Sequence, residues 1–179
     1  VTHLAESFHA DMRAQALLLL VEDSEDDVAL LRCAFDQANI TNPLQVVRSG
    51  GEAVAYLSGF GPYANRAEFP LPALVLLDLR MPGMMDGFEV LQWIRSQPTF
   101  KSLRVVVLTA SGAAEDISRA YKLGANSYVT KPSSFARLAE VSQAISDFWL
   151  RLSQAPEASR PAPAPRQAED ALAKAHPES

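Results

Sequence analysis

Five short apolar runs, each stopped by a polar group, a proline or a glycine, alternate with segments of helical spacing. That alternation constrains the fold of this chain more than any other feature. The runs are Ala16 to Val21, Leu44 to Val47, Ala73 to Asp78, Arg104 to Thr109 and Asn126 to Thr130. Their brevity and sharp ends predict strands buried on both faces, and the fourth is the richest in β-branched residues. Between them the spacing predicts helices over 25–39, 52–57, 87–96, 113–123 and 134–152. Val28, Leu31 and Phe35 lie on one face of the first, Phe88, Leu91 and Ile94 on one face of the third, and Leu138, Val141, Ile145 and Trp149 on one face of the last. Ser24, followed three residues later by Asp27, reads as a capping box opening the first helix. Strand and helix repeated five times predict an α/β domain with a parallel sheet covered on both faces. Right-handed crossovers bring the carboxyl ends of all its strands to one edge.

The 179 residues suffice for one such domain and an appendage. A polar lead occupies 1–15, the (βα)5 domain 16–152, and a Pro/Ala-rich tail 153–179 that reads as an extended, disordered segment. The formal charge of -5 argues against a nucleic-acid or anionic-membrane partner, which requires a basic face. No apolar run is long enough to span a membrane, and no segment reads as a signal peptide. The lone Cys33 forms no internal disulfide, so a reducing cytoplasm is expected. His3 and His9 in the lead make a poor metal site.

Chemistry concentrates at the strand ends. Glu22 and Asp23 follow the first strand, Asp78 closes the third, Thr109 ends the fourth and Lys131 follows the fifth. Each alone has an ordinary structural explanation as a helix cap, a sheet hydrogen bond or a surface charge. Gathered on one edge they form a site. Three ionised carboxylates repel one another and call for a divalent cation. An all-oxygen donor set favours Mg2+ over zinc, with Glu22, Asp23, Asp78 and a main-chain carbonyl near Arg80 as ligands. Lys131 and the Thr109 hydroxyl suit an anion with several oxygens, such as a phosphoryl group. Asp78 between them is a candidate nucleophile for aspartyl-phosphate chemistry.

Leu19-Leu20-Val21-Glu22-Asp23-Ser24, Leu76-Leu77-Asp78-Leu79-Arg80-Met81-Pro82-Gly83, Val107-Leu108-Thr109-Ala110-Ser111 and Lys131-Pro132 together resemble the receiver domain of two-component response regulators, over about Leu17 to Leu152. The resemblance implies a flavodoxin-like, doubly wound five-stranded sheet. It also implies phosphoryl transfer from a sensor histidine kinase to Asp78, with Mg2+ on Glu22, Asp23 and Asp78. Lys131 would then contact the phosphoryl group, Thr109 and Tyr128 would be a switch pair, and Lys131-Pro132 would often be cis. Asp27-Val28-Ala29-Leu30, Ala53-Val54-Ala55-Tyr56-Leu57, the loop with Gly61-Pro62-Tyr63, Leu123-Gly124-Ala125-Asn126-Ser127-Tyr128 and Phe148-Trp149-Leu150 are similar to the stand-alone regulators of bacterial phytochromes. That likeness implies a bacteriophytochrome-type kinase as partner and a homodimer through the last two helices and the fifth strand.

The chain departs from the family pattern in three places. Met84-Met85-Asp86-Gly87 is one residue longer than the usual run, Arg80 stands two residues after Asp78, and Ser49-Gly50-Gly51 lacks the common Asp-Gly. Competing readings are a receiver that acts only as a phosphate sink or dimer scaffold, an Asp-nucleophile phosphatase, and a flavodoxin-type cofactor binder. The phosphatase needs a second Asp where Arg80 stands. The cofactor binder needs a phosphate-holding loop where Glu22 to Asp27 is acidic.

Overall fold

The computed structural model describes residues 16–153. The polar lead, with His3 and His9, and the tail beyond Ser153 lie outside the described residues. Five strands form one parallel sheet: β1 Leu18–Val21, β2 Leu44–Val47, β3 Leu74–Leu77, β4 Arg104–Thr109 and β5 Ser127–Thr130. Their spatial order is β2-β1-β3-β4-β5. The chain runs from β1 outward to β2 and then crosses back to β3. The order therefore reverses between β1 and β3, where open α/β sheets form their ligand crevice. The helices are α1 Glu25–Gln37, α2 Gly50–Ser58, α3 Gly87–Ser96, α4 Ala114–Lys122 and α5 Phe135–Ile145.

Every residue of β1 and β3 is buried, and the period-two alternation splits the core into two layers. Leu18, Leu20, Leu74, Leu76, Val106 and Leu108 face α1 and α5. Leu19, Val21, Val75, Leu77, Val105 and Val107 face the opposite layer with α2 and α3. This double burial explains why the strands read as unbroken apolar runs.

Most element limits shift by no more than two residues from the sequence reading, and two differences have clear local causes. Gly50 and Gly51, just ahead of the helix expected over 52–57, are the first residues of α2, because Ser49 caps the helix by accepting a hydrogen bond from the Glu52 N–H at 3.2 Å. The last helix does not continue as one α-helix to Leu152: Ser146–Leu152 winds as a π-helix. There Arg104, at the start of β4, donates to the carbonyls of Trp149 (2.7 Å) and Ser153 (3.1 Å), drawing the wider turn against the sheet. The peptide bond between Lys131 and Pro132 is trans, contrary to the cis form implied by the resemblance; no cis bond occurs among the described residues.

The long connection from Ser58 to Pro72 is ordered by its own side chains. Tyr56, Tyr63 and Phe69 pack edge to face at centroid distances of 5.0–6.2 Å. Arg66 donates to the Tyr56, Leu57 and Phe69 carbonyls, satisfying the open end of α2. Gly87 seats α3 against the end of β3. A Cβ there would lie 2.1 Å from the Asp78 carbonyl oxygen, so only glycine allows the approach.

Candidate functional site at the carboxyl edge of the sheet

Asp78 follows the last residue of β3 and is 6 % exposed. Its N–H bonds to the Val21 carbonyl, which ties it to the end of β1. Its Oδ1 accepts a hydrogen bond from the Arg80 N–H at 3.1 Å, and its Oδ2 accepts from Lys131 Nζ at 2.9 Å. Lys131 is delivered by β5 and fixed by its own N–H on the Thr109 carbonyl at 2.7 Å. Its ammonium also donates to Glu22 Oε2 and to Asp27 Oδ2, both at 2.6 Å. One cation thus sits among three carboxylates whose oxygens lie within 4.8 Å of one another.

This ring sets the charge states. Burial alone pushes the Asp78 carboxyl up, but Thr109, Lys131 and the Arg80 N–H outweigh it and hold the group below its ordinary value. Burial pushes Glu22 the other way, above the ordinary carboxylate range, against the pull of Lys131 and with the Asp78 charge adding to the rise. Burial also opposes the Lys131 ammonium, and its three carboxylate partners more than compensate, so the lysine stays charged well past its usual range. Asp78 is therefore ionised at neutral pH, as a nucleophilic carboxylate must be.

Thr109 is fully buried beside Asp78. Its hydroxyl lies close enough to favour the Asp78 charge, yet makes no hydrogen bond of ordinary geometry to any described residue. An unsatisfied buried hydroxyl at a strand end is a donor without its acceptor. Tyr128 is half-buried against the α2/α3 layer, and its hydroxyl donates to the Ser111 carbonyl at 2.8 Å, just beyond Thr109.

Of the predicted site residues, Glu22, Asp78 and Lys131 come into direct contact, and Thr109 stands beside them. Asp23 lies next to Glu22, half-buried, its side chain making no hydrogen bond or ion pair among the described residues, outside the three-carboxylate ring. The Arg80 side chain turns away from Asp78 to bond Asp116 on α4. The sequence reading missed Asp27 as a site residue. It also expected Asp27 to return a hydrogen bond to Ser24, whereas Ser24 N–H is bound by Glu22 Oε1 (3.2 Å). Only half of the box forms, through the Asp27 N–H on Ser24 Oγ (3.2 Å), which frees the Asp27 carboxylate for Lys131.

The donors fit a hard divalent cation, since they are all carboxylate oxygens and Asp23 brings an unpaired one. They sit in the crevice at the reversal of strand order, beside an ammonium and an unpartnered hydroxyl. The family model of the response regulator receiver domain matches residues 18–143. The chain belongs to the response regulator receiver family. Among its relatives is response regulator Rcp1 of Synechocystis, 39% identical over 142 residues, which covers 79% of this chain and 94% of Rcp1. The receiver is also similar to the crystal structure of the phosphorylated cyanobacterial phytochrome response regulator RcpA, with TM-score 0.73 and 39% identity over 79% of this chain and 99% of RcpA. The Mn(2+)-bound form of Rcp1 superposes with TM-score 0.71 at 38% identity, over 79% of this chain and 99% of that one. The flavodoxin-like fold and the response-regulator assignment read from the sequence therefore hold. No helix among the described residues is long and apolar enough to cross a membrane.

Proposed function

We propose that this receiver accepts a phosphoryl group from the phosphohistidine of a sensor histidine kinase onto Asp78. The observation that carries the reading is the pairing of an ionised, buried Asp78 with the Lys131 ammonium and the unpartnered Thr109 hydroxyl. An Asp78 carboxylate oxygen attacks phosphorus as the P–N bond breaks, and the histidine ring nitrogen keeps the electron pair and takes a proton from solvent. Lys131 neutralises charge on the transferred group and Thr109 donates to one of its oxygens. Glu22, Asp23, Asp78 and the Arg80 carbonyl would hold Mg2+, which would supply further neutralisation of the phosphoryl oxygens. The carboxylate donor set and the Mn(2+)-bound form of Rcp1 support a cation there.

The switch is Thr109 drawn onto the phosphoryl group with Tyr128 following it, which remodels the α4-β5-α5 face. The likeness to a cyanobacterial phytochrome response regulator supports a phytochrome-type kinase in the cytoplasm as the donor. Exposed Tyr121 on α4 and Phe148 and Leu152 after α5 support pairing of two copies through that face. The chain is a phosphoacceptor and not a turnover phosphatase, because the position of a second catalytic carboxylate holds Arg80.

Intact-mass analysis after incubation with acetyl phosphate and Mg2+ tests the assignment. One phosphoryl group is expected, lost on chelation and absent from Asp78→Asn. Labelling that survives the substitution overturns it. Phosphotransfer from a panel of histidine kinases, with phytochrome-type kinases expected to be fastest, tests the partner.

A further inference from the structure

Lys131 holds three carboxylates that differ in position. Glu22 and Asp78 are sealed at the strand ends, with side chains 3% and 8% exposed, whereas Asp27 sits on the first turn of α1 at 40%. Glu22, Asp27 and Lys131 also line a cleft of about 60 Å³ that opens between α1 and α5, floored by Leu20, Leu31 and Leu138. The ammonium is thus shared between two sealed carboxylates and one on the exposed first turn of α1, with room beside it in the cleft.

We infer that Asp27 is a positioning residue that receives the Lys131 ammonium when a divalent cation enters the carboxylate cluster. This rests on the proposed reading of Glu22 and Asp78 as metal ligands. An ammonium bonded to both is a competitor for the same oxygens, and like charges a few ångströms apart in a partly buried site repel strongly. Lys131 must yield Glu22 and Asp78. Asp27 lets it do so without losing its last charge partner, and keeps it within reach of Asp78 for the phosphoryl group. The carboxylate is free for this role because the helix cap uses only the Asp27 N–H. The alternative is a first-turn acid that merely favours the dipole of α1. Such a residue would contribute independently of Lys131.

Titration calorimetry of the full chain with Mn2+ separates the two. Wild type, Asp27→Asn, Lys131→Met and the double variant form a cycle. Asp27→Asn is expected to weaken Mn2+ binding about tenfold, the scale of one charged hydrogen bond. In the Lys131→Met background the same change is expected to cost several-fold less than in wild type, since only the direct attraction of the Asp27 charge for the cation is then lost. Asp27→Glu, which keeps the anion, restores the affinity. The shift of heat denaturation with rising Mn2+ gives the same cycle if a variant is only partly folded without metal. An equal penalty in both backgrounds, or none in either, overturns the inference while leaving the metal site standing. Wild type that takes up no Mn2+ overturns the reading of the site itself, and the inference with it.

Discussion

The Arg80 guanidinium donates to Asp116 Oδ2 at 2.5 Å, joining the loop after β3 to the first turn of α4 across 36 positions of sequence. The Arg80 N–H meanwhile bonds Asp78 Oδ1. The same residue thus touches the proposed phosphoacceptor with its backbone and α4 with its side chain. Ser111 Oγ donates to the same Asp116 oxygen, and Tyr128 donates to the Ser111 carbonyl. The elements that would move in the switch are cross-tied at rest.

The tie depends on the ionised Asp116 carboxyl, which the Ser111 hydroxyl and then Arg80 hold below its ordinary value. A depressed carboxyl contributes stability above the unfolded-state value and loses it as pH falls through the folded-state value. Asp116→Asn is therefore expected to unfold at lower urea than wild type at pH 7. The two curves are expected to converge as pH falls past the ordinary carboxylate value and through the lower folded-state value, where both chains lack the charge. Convergence at neutral pH would show that the tie holds nothing.

Thr109→Val removes a buried hydroxyl that has no hydrogen-bond partner and keeps its shape. The resting protein is expected to change by less than about 1 kcal/mol in urea denaturation, because relief of one unsatisfied polar group is offset by loss of the support that the hydroxyl gives the Asp78 charge. Phosphorylation of Asp78 is expected to continue without its effect on the Tyr128 environment. A larger loss of stability would mean that the hydroxyl already bonds Asp78 in solution.

Gly87→Ala places a methyl group 2.1 Å from the Asp78 carbonyl oxygen and 2.6 Å from Leu79 Cα. Backbone on both sides leaves no flexible side chain to yield, so α3 must lift from β3. The expected cost is about 1–3 kcal/mol by equilibrium unfolding, with slower phosphorylation as Asp78 shifts. Gly51→Ala, where nothing stands within 4 Å, is the control.

The strands and the residues at their carboxyl ends were legible because burial on both faces leaves a mark that local composition cannot hide. β2, β4 and α3 fall at their expected limits. Asp27 was not legible as a site residue, since an acid three positions after a capping serine already has a sufficient local reason to be there. Arg80 and Asp116 carry no mutual pattern in sequence; only the packing of α4 beside the loop after β3 joins them. The π-helix was hidden for a different reason. Apolar residues spaced three or four apart satisfy either winding over two turns, and the choice depends on a distant guanidinium, that of Arg104.

That guanidinium has a consequence for the shape of the signal. β4 carries Thr109 at its carboxyl end and Arg104 at its amino end, and Arg104 grips the Trp149 and Ser153 carbonyls. The last described residue thus sits at the sheet edge opposite Asp78, held by the strand that bears Thr109. Thr109 beside Asp78 and the grip on the Ser153 carbonyl thus stand at opposite ends of one six-residue strand.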